Sequence, residues 1–400
     1  MAEFERWGFE RIITPLFECA DVLERGLGDD ARAAAIRFVE PVTGEVVALR
    51  PDITPQAARL VVTRMADIEG PIRLCYEGRV ARLSAGARGQ RELLQAGVEL
   101  YGAPSPDGDI EAVSLAASAL ASTGMPGAHL EIGHVVITRH VLEQIDDGEL
   151  RAQLELALRK KDRAAAERLS AALPKRLRQV AGALPTLYGD PRRVFRRLAD
   201  MPLPAGCRRA LGHLEEVVLA TGKRVMDALG SPLSIELGEV RGFDYYTGLR
   251  LAGYAPGAGG AVLLGGRYDQ LAARYGRSLA AVGFAVDIEA VAEAQTAAGR
   301  DRPVAPRGVL VVAPRNRRAD ADKLAEGLRR SGWRAAVDLG RSRARAEVRD
   351  YARHTGFTSV LELGPHGASF AHGAGEQPLA RAALKRIQGG DTSDLLEGSR

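Results

Sequence analysis

The 400-residue sequence contains 46% apolar and 26% charged residues, enough to bury a large core, and its length indicates two or three domains. No run approaches the roughly 20 apolar residues of a membrane-spanning helix, and the first residues lack the apolar centre of a signal peptide. We therefore expect a globular, cytoplasmic protein without a membrane partner. The net charge of +4 does not decide between partner classes, because arginine-rich compositions also arise without an anionic partner.

The cysteine and histidine patterns do not indicate a metal or redox site. Cys19, Cys75 and Cys207 are far apart and have no second Cys or His at metal-ligand spacing, so we expect buried thiols in a reducing compartment. The seven histidines form no His-Glu-x-x-His arrangement. Asp146 and Asp147 resemble the acidic pair of a phosphoribosyl-diphosphate site, but no predicted strand precedes them. We therefore expect no metal and no cofactor.

The N-terminal region combines short extended runs with helical spacing. Residues 9–17 form an extended run that Pro15 interrupts, and a second apolar run covers residues 46–49. Residues 50–55, with the sequence Arg-Pro-Asp-Ile-Thr-Pro, follow this run directly. Residues 56–65 then have the apolar spacing of a helix.

The clearest strand signal comes next. Residues 72–82 and 91–101 are strand-like runs joined by a polar, glycine-containing loop, which predicts a long antiparallel hairpin. Asp109 is predicted to cap an apolar helix that ends at Gly124. Residues 130–133 alternate as a further strand.

The pattern then changes to consecutive helices rich in Ala, Leu and Arg. This stretch, about residues 142–228, is predicted to be a helical insertion. Strand signals return afterwards, in residues 233–237, 244–254, 261–264 and 282–286. A first domain is therefore predicted over residues 1–295.

The C-terminal region predicts a separate domain after a linker at residues 293–306. Strands and helices alternate over residues 308–312, 320–330, 334–337, 341–354 and 358–363. This order is typical of a three-layer α/β domain with a mainly parallel sheet, predicted here over residues 306–388. Residues 389–400 are predicted to be a polar tail.

Five polar clusters lie at predicted strand ends or turns. They are residues 50–56, Arg82, residues 95–99, residues 241–248 and residues 265–269. Each cluster alone is more often a surface ion pair or a capped turn. Together they supply carboxylates for an ammonium group, arginines for a carboxylate and aromatic groups for a side chain, as a pocket for a free amino acid requires.

At these residues the sequence resembles histidyl-tRNA synthetases. Residues 241–248 and 265–269 resemble the two signature blocks of those enzymes, the hairpin that ends at residues 95–102 resembles their motif 2, and residues 281–289 resemble motif 3. The similarity covers roughly residues 5–295. It implies an α+β fold: a class II synthetase-like antiparallel sheet core with a helical insertion, followed by an α/β domain like the anticodon-binding domain.

The resemblance also implies a histidine-binding site. Its residues would be Asp52, Thr54, Arg82, Gln95, Glu99, Arg241, Tyr245 and Tyr246. Asp52, Thr54 and Gln95 would hold the α-amino group of histidine, and Arg82 would hold the carboxylate. Glu99 and Tyr246 would face the imidazole, and Arg241 takes the position of the catalytic arginine of the synthetases.

The sequence departs from the synthetases where they bind ATP. Motif 3 of the enzymes ends in an arginine that clamps the γ-phosphate of ATP, and Ala290 stands in its place. Ser84 and Ala85 replace the acidic and basic residues of motif 2. Losing one preorganised charge partner costs about 10²- to 10³-fold in rate, and at least two are missing here, so we do not expect amino-acid adenylation.

Residues 49–56, 158–162 and 241–248 are close to the regulatory subunits of ATP phosphoribosyltransferase, a family related to the synthetases. This resemblance implies a non-catalytic subunit that is needed for activity of a short-form catalytic subunit. Histidine would be its effector, through feedback inhibition of the first step of histidine biosynthesis. A homodimer core, formed around Pro15, would lie within the hetero-oligomer.

Two alternatives stay open, a divergent histidine-tRNA ligase and a stand-alone pseudo-synthetase that senses histidine or tRNA. The C-terminal domain is rich in arginine, at Arg315, Arg317, Arg318, Arg329, Arg330, Arg341, Arg343 and Arg345. Such a face could bind tRNA. We expect instead a solvated or assembly surface and no tRNA partner. Because relatives carry a further segment before Phe4, we also expect that the sequence begins downstream of the family's usual start.

Overall fold

The computed structural model describes residues 1–83, 90–240, 245–300, 308–340, 344–365, 367–373 and 375–396. The chain divides into two compact units, Met1–Arg300 and Asp301–Arg400. Among the described residues, no helix combines the length and apolar character that crossing a membrane requires.

The first unit is built from strands and helices that alternate irregularly along the chain. Its strands are β1 (Glu10–Arg11), β2 (Phe17–Cys19), β3 (Ile36–Val39), β4 (Val46–Leu49), β5 (Ile72–Ala81), β6 (Glu92–Tyr101), β7 (His129–His134), β8 (Tyr188–Gly189), β9 (Ser234–Glu236), β10 (Leu249–Tyr254), β11 (Leu263–Arg267) and β12 (Ala281–Asp287). Its helices are α1 (Ala2–Arg6), α2 (Ala20–Glu24), α3 (Asp29–Ala33), α4 (Thr54–Arg64), α5 (Asp107–Ser122), α6 (Val135–Glu143), α7 (Gly148–Arg159), α8 (Arg163–Ser170), α9 (Lys175–Ala183), α10 (Pro191–Ala199), α11 (Ala205–Leu229) and α12 (Ile288–Ala297).

Nine strands form one sheet in the order β1-β5-β6-β12-β11-β10-β7-β9-β8. The central pairs from β5 to β7 are antiparallel, while β1 with β5 and β7 with β9 are parallel. The predicted hairpin is confirmed, since β5 and β6 pair from Ile72 opposite Tyr101 to Ala81 opposite Glu92. The antiparallel core predicted from the sequence is therefore present.

The two faces of this sheet have different roles, because successive side chains of a strand point to opposite faces. On β6, Val98 and Leu100 belong to the large apolar core, which includes Leu115 of α5 and Leu214 of α11. Both helices are rich in alanine and leucine, which helices favour and which pack closely. The alternate residues of β6, among them Glu99, point to the other face.

Asp109 is not the helix cap that its position suggested. Helix α5 begins at Asp107, and Asp109 lies buried within its first turn. Its carboxylate accepts a hydrogen bond from Nε of Arg267 over 2.8 Å and another from the hydroxyl of Ser105. Burial raises the pKa of Asp109, although Arg267 opposes this rise. Asp109 thus joins α5 to β11 and does not serve as the cap at the start of the helix.

Between β7 and β9 the chain is mostly helical, from α6 to α11, and contains the two-residue strand β8. Helix α11 is continuous over 25 residues. It ends at Gly230, whose φ of 67° lies in the left-handed region that favours glycine.

A second, three-stranded sheet in the order β2-β4-β3 lies in the N-terminal part of the unit. Ala48 of this sheet packs in a small cluster with Ala20 and Leu23 of α2. On the same strands, Phe17 is 48% exposed and Phe38 is 40% exposed. The sheet therefore has one covered and one open apolar side.

The second unit is a small α/β domain. Its elements are β13 (Gly308–Val312), α13 (Arg318–Arg330), β14 (Arg334–Val337), α14 (Arg345–His354), β15 (Ser359–Leu363), β16 (Ala368–His372), β17 (Gly375–Leu379), α15 (Arg381–Gly389) and α16 (Ser393–Leu396). The strand order is β14-β13-β15-β16-β17, parallel over the first three strands and antiparallel over the rest. The three strands predicted from the sequence, β13, β14 and β15, are parallel as expected. The antiparallel strands β16 and β17 were not predicted, because they contain no β-branched residues and gave no strand signal.

Two further boundaries differ from the predictions. Helix α12 continues to Ala297, so the first part of the predicted linker at residues 293–306 is helical. In the predicted polar tail, Leu395 is fully buried against the core of the second unit. Two adjacent leucines among polar residues carry too little periodic signal to identify such a contact.

Several arginines of the second unit have acidic partners. Arg318 pairs with Asp322 over 3.0 Å, and Arg345 pairs with Glu362 over 2.9 Å. Arg341 and Arg343 lie outside the described residues. The positive charge of the paired arginines is thus partly neutralised within the unit.

Candidate functional site

A cavity of about 240 Å³ opens on the sheet face opposite α5. It is smaller than the roughly 300–1,000 Å³ pockets of drug-sized ligands, and its size suits one small molecule. Six of the eight predicted site residues line it, namely Asp52, Thr54, Arg82, Gln95, Tyr245 and Tyr246. Glu99 lies buried next to this lining, and Arg241 lies outside the described residues.

Asp52 and Thr54 are positioned where the chain enters α4. The backbone N–H of Thr54 donates to Oδ1 of Asp52 over 3.2 Å. Just before them, the buried Arg50 donates from Nε to the carbonyl of Arg79 over 2.7 Å and from an Nη to the carbonyl of Thr14 over 2.8 Å. Arg50 therefore anchors this segment to β5 and to the N-terminal region, and it does not line the cavity.

Arg82 follows directly after β5. Its Nε donates to the carbonyl of Pro51 over 3.0 Å, which joins the end of the hairpin to the segment before α4. A guanidinium carries five N–H donors, so those that remain can bind a carboxylate at the cavity.

Glu99 is held beneath the cavity by Tyr76. The Tyr76 hydroxyl donates to Oε1 of Glu99 over 3.0 Å and lies 3.5 Å from the Thr54 hydroxyl. Burial raises the pKa of Glu99 well above its ordinary value, and the nearby charge of Asp52 adds to this rise. A buried carboxyl of this kind strongly favours a ligand that brings N–H donors or positive charge.

Four buried oxygens around the site have no hydrogen-bond partner among the described residues. They are Gln95 Oε1, Glu99 Oε2, Tyr245 Oη and Tyr268 Oη. Unpaired buried polar atoms are rare in folded proteins, and each is destabilising unless water or a ligand satisfies it. The arrangement therefore suits a ligand with several N–H groups, such as an ammonium group and an imidazole.

The aromatic wall consists of tyrosines in mutual contact. The rings of Tyr245 and Tyr246 lie 5.4 Å apart in an edge-to-face arrangement, and those of Tyr245 and Tyr268 lie 5.3 Å apart. Gly283 also lines the cavity, and its lack of a side chain leaves room for Glu99. A Cβ at this position would lie 2.6 Å from Glu99 Oε2 and 2.3 Å from the carbonyl of Val98.

Tyr268 is a site residue that the sequence analysis missed, although it belongs to the polar cluster at residues 265–269. Its neighbour Arg267 points to the other face of the sheet, where it pairs with Asp109. Alternation along the strand could have separated the two side chains, but only once the face carrying the cavity was known.

Comparisons with known proteins identify the family. A family model described as "Histidyl-tRNA synthetase" matches residues 1–291. A protein of Geobacter sulfurreducens named ATP phosphoribosyltransferase regulatory subunit is 38% identical over 367 residues, which are 90% of this chain and 82% of the relative. One of the same name from Anaeromyxobacter sp. strain Fw109-5 is 44% identical over 314 residues, covering 76% of this chain and 89% of the relative. The chain belongs to the family of ATP phosphoribosyltransferase regulatory subunits.

Solved structures agree with this assignment. An ATP phosphoribosyltransferase regulatory subunit/histidyl-tRNA synthetase from Bacillus halodurans has a TM-score of 0.76 and 25% identity, and the match covers 90% of this chain and 91% of that one. The histidyl-tRNA synthetase of Nostoc sp. PCC 7120 has a TM-score of 0.75 at 18% identity, covering 97% and 93%, and shows the fold alone. The predicted class II synthetase-like α+β fold is confirmed.

Membership of the regulatory-subunit family identifies a regulatory chain and not a synthetase. The residues at the ATP-binding position of the synthetases agree with this role. Ala290 is buried in the core at the start of α12, and its N–H donates to Oδ1 of Asp287 over 2.9 Å. Asp287 itself lines the cavity, where its negative charge would repel a triphosphate. Ser84 lies outside the described residues.

Proposed function

We propose that this chain is a subunit of a hetero-oligomeric ATP phosphoribosyltransferase. It activates a short-form catalytic subunit and transmits feedback inhibition by histidine in the first step of histidine biosynthesis. The observation that carries the proposal is the cavity. It gathers carboxylate, guanidinium and phenol groups suited to an amino acid, while Ala290 occupies the position of the phosphate-binding arginine.

Histidine would use the groups around the cavity in three sets. Asp52, with Thr54 and Gln95, binds the ammonium group, and Arg82 binds the carboxylate by charge-assisted hydrogen bonds. The imidazole faces Glu99 and the neighbouring tyrosines. Arg241 would contribute from the segment before Tyr245. The unpaired oxygen of Glu99 supports this orientation, because an imidazole N–H would satisfy it.

Regulation requires that histidine bind differently to two states of the assembly. A coupling free energy of about 1–3 kcal/mol between the effector site and the partner's active state is typical of allosteric proteins. Such a coupling would shift the equilibrium between the partner's active and inactive states by roughly 5- to 150-fold.

A homodimer core is proposed at the N-terminal sheet. Its open side carries Phe17 and Phe38, and further exposed apolar side chains lie around the sheet: Ile13, Leu16, Val39, Val42 and Val46. All seven are between 40% and 90% exposed. Contiguous exposed apolar patches mark association surfaces, and a two-fold dimer would cover the patch of each copy with that of the other. The rings of Phe17 and Phe38 already pack edge to face, 5.9 Å apart.

We also propose that the protein acts in the cytoplasm. Cys19, Cys75 and Cys207 are free thiols, which suits a reducing compartment.

The decisive experiment is a phosphoribosyltransferase assay of a short-form catalytic subunit with and without this chain, titrated with histidine. We expect the chain to raise the rate and histidine to lower it again. The Asp52→Asn variant should still raise the rate but require more histidine for inhibition. No change in rate on adding the wild-type chain would overturn the proposal.

Two parallel measurements address the alternatives. Histidine-dependent ATP/pyrophosphate exchange above background would show a histidine-tRNA ligase. Activation that histidine does not reverse would leave the subunit role but remove histidine as its effector.

A further inference from the structure

A cluster of charged side chains lies beside the cavity, on the same face of the nine-stranded sheet. Its carboxylates and its arginine are largely buried, whereas its lysine is 44% exposed. Its members come from β7, β9, the segment after β9, β10 and the turn between α7 and α8. They are Glu131, Glu236, Glu239, Arg250 and Lys161. Lys161 is the member that comes from the mostly helical segment between β7 and β9.

The contacts in the cluster are of unequal length. Lys161 Nζ lies 3.0 Å from Glu236 Oε1, whereas Arg250 lies 3.7 Å from both Glu131 and Glu239. Burial raises the pKa of Glu131, and the charge of Glu236 raises it further. Three carboxylates thus share two cations, and loss of Lys161 would leave Glu236 without its close cationic partner.

The backbone at Lys161 is held in an uncommon conformation. Its φ of 56° lies in the left-handed region, and among the described residues it is the non-glycine position with positive φ. Such conformations persist where the surroundings enforce them, and they are often found at functional positions. The N–H of Lys161 donates to the carbonyl of Leu158 over 2.9 Å, and Asp162 caps α8. This turn directs the lysine side chain at Glu236.

Glu236 and Glu239 also hold the backbone that follows β9. Oε1 of Glu236 accepts the N–H of Gly238 over 2.9 Å, and Oε1 of Glu239 accepts the N–H of Val240 over 3.0 Å. Both bonds fix the backbone directly after β9, at Gly238 and Val240.

Arg250 connects the cluster to the cavity. It pairs in register with Gly266, where a Cβ would lie 2.8 Å from the ring of Tyr246. Burial raises the pKa of Tyr246, and the nearby charge of Arg250 opposes that rise. Arg250 is thus close to the tyrosine that lines the cavity.

We infer that Lys161 is a positioning residue through which the helical segment sets the shape of the histidine pocket. It neutralises Glu236, whose charge acts on Glu131, and Glu131 pairs with Arg250 beside Tyr246. This inference rests on the proposed function, because histidine is the ligand whose binding reports the shape of the pocket. A movement of the turn at Lys161 would change histidine affinity without any contact between Lys161 and the ligand.

The test compares histidine binding by calorimetry in the full-length wild type, Lys161→Met, Lys161→Arg and Lys160→Met. We expect Lys161→Met to weaken binding by roughly fivefold or more, as substitutions along coupled networks do. Lys161→Arg, which keeps the charge, and the matched control Lys160→Met, which removes a charge from the adjacent exposed position, should bind as the wild type does.

The outcomes separate the inference from the proposed function. Wild-type affinity in Lys161→Met, even with a lower melting temperature, would show a purely structural role and overturn the inference alone. Absence of histidine binding in the wild type would overturn the proposed function and the inference with it. If Lys161→Met does not fold, the double variant Lys161→Met with Glu236→Gln, which leaves no unpaired charge at position 236, should bind histidine as the wild type does, and weakened binding by it would overturn the inference.

Discussion

Tyr76 donates its hydroxyl to Oε1 of Glu99 over 3.0 Å, while Oε2 of the same carboxyl has no partner in the described part of the chain. One oxygen is thus held by the fold, and the other is free to accept a hydrogen bond from a ligand. We predict that Glu99→Gln weakens histidine binding by about tenfold or more, because a charge-assisted hydrogen bond is lost. Calorimetry measures the change, and Glu77→Gln on the exposed face of β5 is the control. Equal affinity of Glu99→Gln and the wild type would place the ligand elsewhere.

Glu99 should also affect stability as a function of pH. Burial raises its folded-state pKa well above the ordinary value of 4.5, so the folded protein binds this proton more tightly than the unfolded chain. The resulting stabilisation is complete below pH 4.5 and is lost as pH rises through the folded-state pKa. We expect the free energy of unfolding of the wild type to fall relative to that of Glu99→Gln as pH rises. Urea titrations of both proteins across this pH range would test the prediction. A difference in the free energy of unfolding that stays constant with pH would contradict it.

Asp52 should contribute to binding and little to stability, since it lines the cavity and is not part of the apolar core. Asp52→Asn is expected to weaken histidine binding by about 10- to 100-fold, the range for loss of a hydrogen bond to a charged group. The melting temperature should stay close to that of the wild type. Asp67→Asn, which changes an exposed carboxylate beyond the other end of α4, should change neither quantity.

The apolar patch of the three-stranded sheet predicts a change in oligomeric state. Phe38→Asp places a charge in the proposed dimer interface, so we expect monomers in sedimentation velocity experiments with unchanged circular dichroism. Leu219→Asp is the control, because Leu219 is 85% exposed on α11, away from this sheet. A Phe38→Asp protein that still sediments as a dimer would show that another surface pairs the copies.

The buried pair of Asp109 and Arg267 should be important for stability. Asp109→Asn leaves Arg267 in the core with Asp269 as its remaining acidic partner, so we expect a loss of about 3 kcal/mol, at the lower end for a broken buried pair. Asp269→Asn, whose side chain is 43% exposed, should cost about 0–1 kcal/mol. Chemical denaturation measures both values. Equal losses of stability in the two variants would contradict the expectation that the buried partner of Arg267 contributes more than the exposed one.

Local sequence patterns and the family resemblance predicted much of the fold of the first unit and most residues of the candidate site. The alternation of residues 72–82 and 91–101 predicted the β5–β6 hairpin, because side chains of a half-buried strand alternate between core and open face. The motif blocks around residues 50–56, 95–99 and 241–248 supplied predicted site residues that line the cavity: Asp52, Thr54, Gln95, Tyr245 and Tyr246. Their chemistry is a property of the residue types, and so it was visible in the sequence.

The tertiary structure alone decided the partner of each polar side chain. Asp109 looked like a helix cap and instead pairs with Arg267, which lies 158 positions later. Arg267 and Tyr268 are neighbours in sequence but lie on opposite faces of the sheet. Strand register and the choice of buried face depend on pairing between distant segments, so the sequence determined which groups the protein has, and only the folded chain determined which of them meet.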